Sequence, residues 1–152
     1  MNYELCIMNY ALSILIPTYN DLCVNLVDNL RQQAEAVGVM YEILVGDDGS
    51  TDVGVVAGNK QIEQWEHCRY LIQPQNAGRA AIRNILAKEA QYDWLLFIDS
   101  DMTVVRPDFI SQYVTQEDAD VIDGGVSIGG DEEILKSNLR YLYEKASEHE
   151  HT

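Results

Sequence analysis

Basic residues are scarce in this chain: ten Lys and Arg stand against twenty-five Asp and Glu, a net charge of −15. Such a surface repels nucleic-acid phosphates and anionic lipid head groups, which excludes nucleic acid as a partner. A phosphate-bearing ligand would need a cation to accompany it. Cysteine is sparse too, and odd in number. Cys6, Cys23 and Cys68 lie 17 and 45 residues apart, with neither CxxC nor zinc-type spacing, and read as reduced, buried thiols rather than a disulfide frame or a reactive centre. His67, His149 and His151 are too scattered for a designed metal site.

Long apolar runs are missing as well. The longest, such as Ala11 to Pro17 and Trp94 to Ile98, fall far short of the ~20 residues a membrane helix needs. The opening MNYELCIMNY has no basic stretch ahead of a long apolar one and no small-residue cleavage site. A cytoplasmic location is therefore expected, with peripheral membrane attachment left to a longer protein. Two phosphate fingerprints are absent: no G-x-G-x-x-G follows the first strand, and no G-x-x-x-x-G-K-[ST] occurs anywhere. Neither the usual dinucleotide-binding turn nor a P-loop is supported.

What is present is 152 residues, 47% hydrophobic and 23% charged, the make-up of one compact domain with a real core. Ala11–Pro17 and Tyr41–Gly46 are short aliphatic runs ending in turn formers and read as buried parallel strands. Between them Leu22, Leu26, Leu30, Ala34 and Val37 recur at helical spacing, with Asp21 placed to cap the start and Gly38 to end it. A weak helix near Gln61–Glu66, a strand at Arg69–Ile72, a helix over Ala80–Ala90 and a strand at Asp93–Ile98 continue the alternation. The expected fold class is α/β, a Rossmann-like, mostly parallel sheet flanked by helices.

Farther on, a helix over Pro107–Val114 and a strand at Asp120–Ile122 are expected, followed by glycine pairs at 124–125 and 129–130. Ile134, Leu135, Leu139, Leu142 and Ala146 then form an apolar stripe behind the acidic Asp131-Glu132-Glu133, which suits the N-terminus of a helix over 131–148. An unpartnered stripe of this kind would pair with a copy of itself, giving a homodimer. From Glu117 onward ten acids face three bases, a pattern read as a solvated acidic face.

In an open parallel sheet, ligands sit beyond the carboxyl ends of the strands. Those ends read Pro17-Thr18-Tyr19-Asn20, Asp47-Asp48-Gly49-Ser50-Thr51-Asp52 and Asp99-Ser100-Asp101. Together they would put an aromatic ring and two groups of carboxylates around one cleft, a site for a base, a ribose and a metal-bridged phosphate. Carboxylates are hard oxygen ligands suited to Mg²⁺ or Mn²⁺. Taken alone, Asp-x-Asp often just begins a loop, and Asp-Gly-Ser is ordinary turn chemistry. Adjacent acids closing a buried strand are harder to dismiss, because their repulsion costs stability. Asn76-Ala77-Gly78-Arg79 reads as a loop opening a helix whose N–H groups and arginines could meet an anion, or equally as a capped surface helix.

In this order and spacing, Leu12–Asn20 (LSILIPTYN), Tyr41–Asp52 (YEILVGDDGSTD), Asn76–Asn84 (NAGRAAIRN) and Leu95–Asp101 (LLFIDSD) resemble the family 2 glycosyltransferases, inverting enzymes of the GT-A fold. The resemblance covers about residues 11 to 128. It implies that Pro17 and Tyr19 line the nucleobase pocket, with Tyr19 stacking on the base and Asp48 accepting a hydrogen bond from it, Asp47 being a supporting acid. It further implies that Asp99 faces the ribose or the metal, that Ser100 lies at the donor, and that Asp101 coordinates Mn²⁺ or Mg²⁺ bridging the diphosphate. Arg83 and the loop Asn76 to Gly78 would lie near the donor. The implied reaction is attack of an acceptor hydroxyl on the anomeric carbon of a UDP- or GDP-sugar, with inversion and with a carboxylate as general base. The acceptor would be a saccharide, a lipid carrier or a protein.

The sequence departs from the family at its end. The base usually lies in a Glu-Asp motif well downstream, often followed by Gln-x-x-Arg-Trp; the 51 residues after Asp101 hold no Gln-x-x-Arg-Trp, and their Glu-Asp pair, Glu117-Asp118, comes only 16 residues on. No catalytic base is therefore named. The chain is expected to be a single donor-binding domain, with the acceptor-binding part supplied by a longer protein. A nucleotide- and metal-binding module without catalysis of its own is the alternative. A haloacid-dehalogenase-type phosphatase, with Asp99 as nucleophile and Asp101 as acid/base in Phe97–Val104, suffers from its motif falling on the wrong strand. A response-regulator receiver built on Asp47, Asp48 and Asp99 leaves the first 40 residues surplus.

Overall fold

The chain's computed structural model describes residues 10–116 and 119–125. Four strands form one parallel sheet: β1 (Ala11–Thr18), β2 (Met40–Asp47), β3 (Cys68–Ile72) and β4 (Trp94–Phe97), in the order β3-β2-β1-β4. The register sets Leu12 opposite both Tyr41 and Trp94, and Ile43 opposite Cys68. Between the strands run α1 (Val24–Val37), α2 (Val53–Asn59) with a 3₁₀ turn at Lys60–Gln64, and α3 (Arg79–Glu89); α4 (Phe109–Val114) follows β4.

Parallel strands must be covered on both faces, which is why β1 and β2 are apolar almost throughout. On one face Ile14, Ile16, Ile43 and Val45 pack with Val27, Leu30 and Ala34 of α1, with Ile62, and with Ile110 and Val114 of α4. On the other, Leu15 and Leu44 meet Leu86 of α3. Adjacent residues thus serve opposite faces, as the two-residue period of a strand requires. Gly46 has its place here: a Cβ would lie 2.9 Å from the Leu86 side chain, so α3 rides directly on β2. Among the described residues edge strand β4 has only β1 beside it, and Trp94, Leu95 and Phe97 stay partly exposed although the segment is as apolar as a central strand.

Two local expectations are corrected. Asp21 does not cap α1: the helix begins after Cys23, with no side-chain cap bond, and Leu22 is exposed ahead of it. The Asp21 carbonyl is instead held by the Thr18 hydroxyl at 3.1 Å and by Asn59 Nδ2 at 2.9 Å, which pulls residue 21 back toward the sheet. Gly38 does end α1, at φ +78°. The expected strand at Asp120–Ile122 is not formed. Three residues flanked by acids bury too little to pair, and Val121 is 87% exposed.

Residues 1–118 and 119–152 form two compact units. Within the second, residues 119–125 are irregular, and Gly125, at φ +67°, donates its N–H to Asp123 Oδ1 at 3.0 Å. The acidic 131–133 cluster, the stripe Ile134 to Ala146, Cys6, His149 and His151 lie outside the described residues. Among the described residues no helix is long and apolar enough to cross a membrane.

Candidate functional site

The carboxyl ends of β1, β2 and β4 open onto one cavity of about 420 Å³. The loop after β1 contributes Pro17, Thr18, Tyr19 and Asp21; that after β2 contributes Asp48. The turn into α3 and the helix itself contribute Asn76, Gly78, Arg79, Ile82 and Arg83; the loop after β4 contributes Asp99, Ser100 and Asp101. Pro17, Tyr19, Asp48, Gly78, Arg83, Asp99, Ser100 and Asp101, read from four separated stretches of sequence, are therefore brought together. Asp47 is not a lining residue. It is fully buried behind the cavity, with Oδ1 taking the Ser50 N–H at 2.7 Å and Oδ2 taking the Tyr70 hydroxyl. Thr18, Asp21 and Ile82 join the lining without having been singled out as cavity residues.

Asp48 is buried, and both of its oxygens are engaged. Oδ1 accepts the Ala77 N–H at 2.8 Å and Oδ2 accepts the Gly78 N–H at 2.9 Å. Those N–H groups belong to the loop that opens α3, which the sequence leaves open to an external anion or to a capped surface helix; the protein's own carboxylate occupies them. A carboxylate has about four acceptor sites, so Asp48 keeps a free lone pair on each oxygen for a ligand donor. Gly49 makes this approach possible. At φ +76° a Cβ would sit 2.5 Å from the Gln75 carbonyl carbon and 2.6 Å from the Asn76 nitrogen, so only glycine lets the two loops touch.

Across the cavity Arg83 ion-pairs with Asp99, holding that carboxylate toward α3. Asp99 is still 46% exposed on its side chain. Tyr19 is 47% exposed, its ring free to meet a flat partner.

Three buried groups, Tyr70, Cys23 and Cys68, are held neutral. Burial, reinforced by the hydrogen bond to Asp47, pushes the Tyr70 phenol well above the ordinary tyrosine value. Burial, with Asp21 and Asp47 adding negative charge, pushes the Cys23 thiol up to about 12, and burial raises Cys68 to about 11. Both thiols are buried and unreactive in character, as expected from the sequence. Asn59, itself fully buried, accepts the Cys23 N–H at 3.0 Å while holding Asp21, so the far end of α2 fixes the path of the loop after β1.

Residues 13–150 match the family described as Glycosyl transferase family 2. The chain belongs to that family. A relative, an uncharacterized glycosyltransferase of Haemophilus influenzae, is 36% identical over 98 residues, covering 62% of this chain and 38% of that protein. The chain thus spans well under half of that relative's length. Among solved structures, Staphylococcus aureus TarS 1-349 in complex with UDP-GlcNAc superposes with a TM-score of 0.55 at 23% identity, covering 68% of this chain and 30% of that one. The mannosyltransferase PcManGT of Pyrobaculum calidifontis, in complex with GDP-Man and Mn²⁺, gives 0.57 at 21%, covering 70% and 32%. Likeness at that identity speaks for the fold, which is of the GT-A type. With the family established, the phosphatase and receiver readings fall: the acidic Asp99-Ser100-Asp101 follows β4, after two strands with motifs of their own.

Proposed function

We propose that this family 2 glycosyltransferase chain binds the nucleotide-diphosphate part of a UDP- or GDP-sugar in the cavity, for transfer of the sugar to an acceptor hydroxyl with inversion. One observation carries the reading: a single cavity at the carboxyl edge of the sheet gathers an exposed aromatic ring, a buried carboxylate with spare acceptor capacity, and two solvent-reachable acids. Its volume falls in the range of about 300–1,000 Å³ of small-molecule sites. In this reading Tyr19 stacks on the base against Pro17, and Asp48 accepts an N–H from the base edge. Gly78, Arg83 and Ser100 lie along the ribose and diphosphate.

The family implies Mn²⁺ or Mg²⁺. Among the described residues no group of three acidic, histidine or cysteine side chains could hold a metal by itself. Asp101 and Asp99 nevertheless fit such an ion, because Mg²⁺-like cations commonly take one or two carboxylates, with substrate phosphates and water completing the shell. When bound, the ion would supply positive charge to the leaving diphosphate. The chain's own residues have a narrower task. Arg83 restrains Asp99, Asp48 orients the base, and Tyr19 covers it from water.

The transfer itself forms a bond from the acceptor oxygen to the anomeric carbon as the bond to the diphosphate oxygen breaks; the acceptor proton passes to a base. Single displacement inverts the anomeric centre. No described side chain is named as that base. We place the acceptor-binding half, for a saccharide, lipid-linked or protein acceptor, in a longer protein, and read this chain as its donor-binding domain. The fold's likeness to proteins solved with UDP-GlcNAc and with GDP-Man and Mn²⁺ supports the donor class.

Calorimetric titration of UDP, GDP, UDP-GlcNAc and GDP-mannose, each with Mn²⁺ and with EDTA, tests the reading. Saturable binding of one base series, tighter with Mn²⁺, is expected. Binding of none of the four in either condition overturns it.

A further inference from the structure

Tyr19 and Asp48 belong to different strands, and their separation in space is not set by either strand alone. One side chain joins the two loops. Asn20 Oδ1 accepts both the Thr51 N–H, at 2.8 Å, and the Asp52 N–H, at 2.9 Å. Its Nδ2 donates to Thr51 Oγ1 at 3.2 Å, and its own backbone N–H donates to Ser50 Oγ at 2.8 Å. Residue 20 has φ +50°, a left-handed conformation that asparagine tolerates far better than most residues.

That arrangement makes a brace. The left-handed kink turns the chain sharply after Tyr19, and the carboxamide replaces the backbone partners that the amides of 51 and 52 would otherwise lack. Asp52 in turn caps α2 by accepting the Val55 N–H at 3.1 Å, so the brace is anchored in regular structure. Ser50, the other attachment, donates its N–H to Asp47, which is locked to Tyr70. Asp48 N–H also donates to the Thr18 carbonyl at 2.9 Å, one residue before Tyr19. The ring on one loop and the carboxylate on the other are thereby held at a fixed offset.

We infer that Asn20 is the positioning residue of the base-recognition half of the cavity: it sets the Tyr19 ring relative to the Asp48 carboxylate without touching the ligand. The inference rests on the nucleotide-binding reading above. A brace acts by keeping the binding-competent arrangement populated. If its loss leaves that arrangement present about one-tenth of the time, apparent Kd rises about tenfold. The diphosphate and metal end, built on the loop after β4 and on α3, is attached to neither Asn20 nor Ser50.

The test uses the full chain and titrates uridine, guanosine, UDP and GDP, the diphosphates with Mn²⁺ and with EDTA, against four variants. Asn20→Gly keeps the left-handed backbone and loses the three side-chain bonds. Asn20→Ala loses both. Asn20→Asp keeps the acceptor for the two amides, and the Thr51 hydroxyl can rotate to donate to its second oxygen. Ser50→Ala removes one attachment and leaves φ at residue 20 untouched, so it decides the matter if an Asn20 variant does not fold.

Expected is a rise of about tenfold in Kd for Asn20→Gly, equal for the nucleoside and its diphosphate, with the Mn²⁺-to-EDTA affinity ratio unchanged. Asn20→Ala follows with a larger rise and Ser50→Ala with a smaller one. Asn20→Asp recovers the affinity for the neutral nucleoside, where its added charge has no phosphate to repel. Wild-type nucleoside affinity in Asn20→Gly, or a loss that alters the metal ratio by the same factor and that Asn20→Asp does not recover, overturns the inference alone. Failure of the wild-type chain to bind any nucleoside or nucleotide overturns the functional reading and the inference with it.

Discussion

Asp48 Oδ2 accepts the Gly78 N–H at 2.9 Å, and this contact ties the end of β2 to the first residue before α3. With the Ala77 N–H on Oδ1, the carboxylate both caps that turn and walls the cavity. In the proposed function, structure and ligand recognition are thus carried by one side chain. Asp48→Asn sets an amide NH₂ against a backbone N–H. We expect a loss of roughly 1–3 kcal/mol, the cost of an unpaired buried donor, in urea unfolding, together with weaker nucleotide binding. Unchanged stability would show that the turn does not depend on the carboxylate.

Two glycines separate backbone conformation from close approach. Gly38 and Gly49 have nearly equal φ, +78° and +76°, yet a Cβ at 38 meets nothing within 4 Å while one at 49 strikes the backbone of Gln75 and Asn76. Gly38→Ala should cost about 1 kcal/mol, the left-handed penalty alone. Gly49→Ala should cost roughly 3 kcal/mol or more, because loop 75–76 must move as well. Thermal unfolding of the pair measures the difference directly.

Tyr70 gives a pH signature. Its phenol is held protonated above the ordinary value of 10.0, first by burial and then by the Asp47 bond. The folded protein therefore keeps a proton that the unfolded chain releases. The stabilisation is complete below about pH 10 and declines as pH rises through the folded value. Tyr70→Phe should flatten this alkaline decline. It should also lower stability near neutrality by about 1–3 kcal/mol, since Asp47 Oδ2 loses its donor. Urea midpoints between pH 7 and 11 check both.

Cys23 and Cys68 should resist alkylation in the native protein at pH 8, since burial holds their thiols up at about 12 and about 11. Both should label readily in urea. Peptide mass analysis after iodoacetamide treatment reads each site separately; rapid native labelling of Cys23 would contradict its burial.

Much of the cavity was legible because its residues follow apolar strands, and strand ends are visible in a sequence. Ile14, Ile16, Ile43 and Val45 announce β1 and β2, and the parallel arrangement then brings their ends to one edge. The helix α2 was not legible. Val53–Asn59 contains two glycines, which lowers helix propensity, and the segment is helical through the Asp52 cap and close packing at Gly58, whose Cβ position lies 2.5 Å from Leu22 Cδ1. Asp21 looked like a helix cap because only its side chain can be read from sequence; in the structure its carbonyl is what Thr18 and Asn59 hold. The bracing by Asn20 depends on a backbone angle and on amides 31 and 32 residues away, neither of which a residue pattern records.

We propose that one cavity binds a nucleotide diphosphate with the help of a cation held by Asp101 and Asp99. The most direct measurement is the Kd of UDP and GDP in Mn²⁺ and in EDTA for the wild-type chain and for Asp101→Ala. Mn²⁺-enhanced binding of one diphosphate is expected in the wild type, and in Asp101→Ala an affinity equal to the EDTA value whether or not Mn²⁺ is present. Mn²⁺ enhancement undiminished in Asp101→Ala, or no diphosphate binding by the wild type, would contradict it.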